Sequence, residues 1–69
     1  MKPTVGDLVT MRAYSGDPFV DRVYFGLILL EEKRKRYTHL TFYTLLTSDG
    51  TTSEVPIPDY QIHTRIKIL

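Results

Sequence analysis

Leu40-Thr41-Phe42-Tyr43-Thr44-Leu45-Leu46-Thr47 runs into Ser48-Asp49-Gly50, and Thr51-Thr52-Ser53-Glu54-Val55 follows. No other feature of the chain narrows its fold as much. The first run is rich in β-branched and aromatic residues, which favour extended backbone. Asp-Gly between two β-favouring runs specifies a tight hairpin, with Gly50 taking φ > 0 at no steric cost. The return strand is short and polar, so it reads as an edge or one-face-wet strand. Pro56 and Pro58 end it. Pro58-Asp59-Tyr60 fits a single 3₁₀ turn, with proline fixing φ at its start.

The rest of the chain reads in the same terms. Leu8-Val9-Thr10-Met11 alternates with period two after a Gly6-Asp7 turn signal, as a strand does. Gly16-Asp17-Pro18 punctuates the next stretch, and Arg12 to Arg22 reads as one loop or an irregular hairpin. Val23 to Leu30 is apolar throughout and is expected as a strand buried on both faces, with Gly26 marking a bulge or sharp bend. Glu31 to Arg36 is six consecutive charges. A helix from 29 to 46 would have no apolar stripe across that run, so two strands joined by a charged hairpin tip near 32–36 are expected instead. Ile62, Thr64, Ile66 and Ile68 alternate with His63, Arg65 and Lys67, which predicts a last strand over 62–69.

Five short strands, two recognisable hairpins and no long helix predict an all-β fold. Five strands are too few for a two-sheet sandwich and suit a small, strongly bent, partly open barrel over the single domain 1–69. Size agrees, since a chain of 69 residues buries only about 60% of the surface it exposes when unfolded. The absence of Cys excludes disulfide staples, Cys-ligated zinc and thiol chemistry. Nine Lys and Arg against eight Asp and Glu give a net charge of +1, without the basic excess of a dedicated nucleic-acid coat. No apolar h-region or membrane-length apolar run is present, so the expectation is a cytoplasmic protein with no membrane role.

The order of these features resembles an SH3-like barrel over nearly the whole chain. Pro58-Asp59-Tyr60 is similar to the Pro-Ser-Asn-Tyr turn of peptide-binding SH3 domains. The Ala-Leu-Tyr-Asp-Tyr segment and the Trp pair of their groove for proline-rich ligands have no counterpart here. The run from Val5-Gly6-Asp7-Leu8-Val9 through Gly26-Leu27-Ile28 to Ser48-Asp49-Gly50 is similar to short SH3-like proteins of tailed-phage genomes. That resemblance implies a phage-encoded protein of the same fold, and it brings no activity with it.

No catalytic constellation is apparent. His39 and His63 have no Cys, second His or carboxylate at a metal-ligand spacing, and no base–carboxylate pair for a triad. Adjacent Glu31 and Glu32 point to opposite faces of a strand and cannot serve one substrate. The expectation is therefore no enzyme, no cofactor and no metal. Two binding readings compete. The first is a protein partner held between the 12–22 loop and the terminal turn that Pro58 begins, with Tyr14 and Tyr60 as anchors and Asp17 and Asp21 as rim carboxylates for a basic segment. The alternative is nucleic acid on Lys33, Arg34, Lys35, Arg36 and Tyr37, by analogy with KOW and Tudor modules, since cations beside an aromatic hold phosphates and stack a base. A charged tip is also an ordinary device for keeping strands from pairing with other chains. A third option is a homo-oligomer built through the edge strands.

Overall fold

Residues 47–51 form the tight turn that the sequence specifies. Gly50 has φ 85°, its N–H donates to the Thr47 carbonyl at 3.0 Å, and the Thr47 N–H donates to the Thr51 carbonyl at 2.9 Å. The computed structural model describes residues 2–15 and 20–69, with positions 14, 15 and 20 described by their backbone alone. The strands are β1 (Leu8–Ser15), β2 (Val20–Arg34), β3 (Tyr37–Leu46), β4 (Thr52–Pro58) and β5 (Ile66–Ile68). A 3₁₀ turn (Asp59–Gln61) and a single helical turn, α1 (Ile62–Arg65), stand between β4 and β5. All pairings are antiparallel in one sheet of order β4-β3-β2-β1-β5. The fold is the all-β, five-stranded, partly open barrel expected, with β4 and β5 as its two edges. The 3₁₀ turn and α1 pack between those edges and partly close the gap.

The core follows from strand alternation. Val9, Met11 and Ala13 from β1, Ile28 from β2, Tyr43 and Leu45 from β3, and Val55 and Ile57 from β4 point inward. Ile62 and Ile66 cap this cluster from α1 and the start of β5. Thr41 is a buried polar residue, and its hydroxyl donates to Asp59 Oδ1 at 2.6 Å. That bond satisfies the buried group and pins the 3₁₀ turn to β3.

Several local expectations are corrected. Of the two readings of 12–22, the single loop is overturned and the hairpin stands, because β1 and β2 stay paired down to Ser15↔Val20. Residues 16–19, Asp17 among them, lie outside the described residues. Val23 to Leu30 is not buried on both faces. Tyr24 and Ile28 face the core, while Val23, Phe25, Leu29 and Leu30 are exposed. A single sheet has one core, and no second layer covers its outer face. The register runs regularly through Val9↔Gly26, and the shifts fall between Ile28 and Leu30 and between Glu32 and Arg34. Gly26 serves a close approach instead: a Cβ there would stand 3.1 Å from the Leu46 carbonyl carbon and nearer still to its oxygen.

The charged tip is shorter than 32–36, because β2 continues to Arg34 and β3 begins at Tyr37. Pro56 lies within β4, and Pro58 alone ends it as its last residue. On an edge strand, proline's missing N–H need not deprive a neighbour of a ladder bond. The expected strand over 62–69 is a helical turn followed by three extended residues. Ile62 and Ile66, four apart, satisfy both a helical stripe and an even-numbered alternation, so the pattern alone did not separate them. The Thr64 hydroxyl donating to the Gln61 carbonyl at 3.0 Å belongs to the helical solution.

Gly50→Val puts a β-branched residue at φ 85°, at a cost of about 1–2 kcal/mol. The expected result is a melting temperature lower by at least about 5 °C, with Gly50→Asn closer to wild type. An unchanged melting temperature for the valine variant contradicts this turn.

Candidate functional site

Pro58 enters the 3₁₀ turn with φ −59°, inside the range its ring fixes, and the following residues turn back under β1. Asp59 is held by Lys33 Nζ and by the Thr41 hydroxyl. The backbone carrying Tyr60 is thereby fixed, while Tyr60 itself is 81% exposed. The Tyr60 hydroxyl accepts a hydrogen bond from Gln61 Nε2 at 3.2 Å. Ala13, Leu40, Pro56, Pro58, Gln61 and Arg65 line an open groove of about 180 Å³. Arg65 Nη1 donates to the Arg12 carbonyl at 3.3 Å and ties α1 to β1.

The groove brings Ala13 of β1 beside the terminal turn. Of the residues singled out there, Pro58 lines the groove, and Tyr60 does not line it but bonds to Gln61, which does. Tyr14 follows the groove residue Ala13 and sits opposite Asp21 in the β1–β2 register. Asp21 accepts from Arg12 at 2.9 Å and 3.2 Å, so its charge is already compensated within the sheet. Asp17 lies outside the described residues. Leu40, Pro56, Gln61 and Arg65 were not legible as site residues. Their signal was the spacing of Pro56 and Pro58 on one side of a continued strand, with Leu40 opposite Pro58. Ending that strand at Val55 hid it.

The basic run 33–37 is divided by the fold. Lys33 is committed to Asp59 and to the Thr38 carbonyl at 3.3 Å. Arg34 donates to both Glu54 oxygens, at 3.1 and 2.6 Å, and to Glu32 at 2.7 Å. These carboxylates push the guanidinium pKa upward, Glu54 contributing most. The same guanidinium stacks 4.0 Å from the Phe42 ring centroid, and Tyr37 meets Phe42 edge-on at 5.7 Å. Phe42 is buried on the outer face by this cover. Of the run's four cations, Lys35 and Arg36 have no hydrogen-bond or ion-pair partner among the described residues, so two rather than four remain for phosphates.

A second cavity of about 220 Å³ is lined by Lys2, Lys33, Thr41, Asp59, Ile62 and His63. Glu31 and Tyr43 are opposite in the β2–β3 register, and Glu31 Oε1 and the Tyr43 hydroxyl are buried without a hydrogen-bond partner among the described residues. Burial, then Glu31, then Asp59 push the Tyr43 hydroxyl up to about 12. His39 and His63 are exposed, and no group of three metal-ligating side chains occurs among the described residues. No helix is long and apolar enough to cross a membrane. Comparison with known families, curated proteins and solved structures finds no match to this chain.

Three carboxylates tie this region to pH. Asp49, in the 47–51 turn, is held down to about 2 from 3.8 by the hydroxyls of Thr47 and Thr51. Glu54 is lowered chiefly by Arg34, and Asp59 chiefly by Lys33 and then Thr41. A carboxyl whose folded pKa lies below its unfolded value adds stability above the unfolded value and loses it as pH falls through the folded one. For Asp49 that window runs from about pH 4 down to about pH 2. The melting temperature is expected to fall across it, and less steeply in Asp49→Asn. Parallel pH profiles for wild type and variant contradict this assignment.

Proposed function

We propose that this protein is a non-catalytic interaction module that holds a protein partner in the groove beside Tyr60. The observation that carries this reading is an aromatic ring left 81% exposed on a turn whose backbone is locked by Asp59. A Tyr on a fixed backbone near an apolar recess suits a binding anchor, because only its own side-chain torsions remain to be ordered when a partner covers it. The recess is walled by Leu40, Pro56 and Pro58 and fits an apolar partner side chain. The resemblance to SH3-like barrels, including those encoded by tailed phages, supports a scaffold whose loops and turns carry recognition. The commitment of Lys33 and Arg34 to Asp59, Glu32 and Glu54 weighs against the nucleic-acid alternative.

Immobilised protein and crosslink mapping test the site. Tyr60→Ala should change stability by no more than about 0.5 kcal/mol, because the side chain packs on little. It should weaken partner capture by about thirtyfold, the effect of losing about 2 kcal/mol at an anchor. Lys35→Ala should leave capture intact. The reverse pattern, together with a gel shift of single-stranded nucleic acid that fades with salt, replaces this reading with binding at the charged tip.

A further inference from the structure

We infer that the outer face of the sheet is a self-association surface on which a second copy of this chain docks. On β2, Val23, Phe25 and Leu29 form a stripe along the strand, and all three are exposed. Crossing it, Leu69, Leu8, Leu27 and Leu46 make a row over four chain segments. Leu8↔Leu27 and Leu27↔Leu46 are direct cross-strand partners, and the Leu69 N–H donates to the Leu8 carbonyl at 2.9 Å. Inward-facing Val9 and Ile28 alternate with these residues, which places the row on the side away from the core.

From their fractional exposures, the stripe and row together leave on the order of 600 Å² uncovered, the upper end of what a monomer leaves as one apolar patch. Two such faces stacked across a two-fold axis would bury on the order of 1,200 Å², where stable interfaces begin. The charges at the margins fit a second copy. Exposed Lys67, opposite Thr10 on β5, stands on one side and has no side-chain partner among the described residues. Exposed Asp49 stands on the other, in the turn just beyond the end of β3. A two-fold axis running along β2 lays the β5 margin of one copy over the β3–β4 margin of the other, so unlike charges meet. The edges are poorer candidates. β4 carries two prolines and β5 has three residues, both features that discourage edge pairing.

Sedimentation velocity on the full chain from low to high micromolar concentration tests this. The wild type is expected to approach twice the 8.0 kDa chain mass as concentration rises. Phe25→Lys and Val23→Lys should each weaken association at least about tenfold with an unchanged far-UV spectrum. Val23 is 66% exposed, so its variant keeps the test decisive should Phe25→Lys fail to fold. Lys67→Glu should weaken association as well. A wild type that stays monomeric throughout overturns the proposal and leaves the face to a different partner or to none. A dimer that persists in both lysine variants also overturns it and moves association to the edges.

Discussion

Everything in this barrel depends on how closely β3 can approach β2 at Gly26. The Leu46 carbonyl occupies the space that a side chain at position 26 would need. That approach lets one fifteen-residue strand serve two partners, β1 along its first half and β3 along its second. The register shift at Leu29 then adds the bend and twist that bring β3 and β4 around toward β1. Without it the sheet would stay open, and Val55 and Ile57 would not reach the β1 residues they share a core with.

The charges of the 31–36 run finish the same job on the outside. Arg34 lies over Phe42 while Glu32 and Glu54 hold its guanidinium, so a ring on the outer face is covered without a second layer. Lys33 reaches across to Asp59 and fixes the terminal turn. A stretch that reads as a phosphate-binding patch is thus largely a set of structural clamps, each exposed and of modest individual worth. These clamps leave two surfaces uncovered, the groove lined by Pro58 and the apolar outer face.

Much of this was legible in the residues. The 47–51 hairpin, the 3₁₀ turn after Pro58, the five-strand count and the partly open barrel all rest on strong local chemistry: Asp-Gly, proline and alternation. What was missed has physical causes. The uniform apolarity of Val23 to Leu30 hid which residues face outward, since periodicity vanishes when both sides are apolar. Helical α1 escaped because Ile62 and Ile66 fit either period. Gly26 was recognisable as special, but a bulge and a backbone contact leave the same trace in sequence. The neutralisation of Lys33 and Arg34 depends on Asp59 and Glu54, which only the tertiary fold brings near.

Gly26→Ala tests the central constraint most directly, because the two effects it combines have opposite signs. Gly26 does not share the positive φ of Gly50, so chain entropy alone would make the alanine variant more stable by about 0.4–1 kcal/mol. The Leu46 carbonyl makes it a clash instead, at a cost of about 1–3 kcal/mol, in a domain of this size holding about 3–5 kcal/mol in all. Urea unfolding of the two proteins side by side reads the sign. A clearly lower midpoint for Gly26→Ala is the predicted result, and an equal or higher midpoint contradicts the close approach on which the barrel is built.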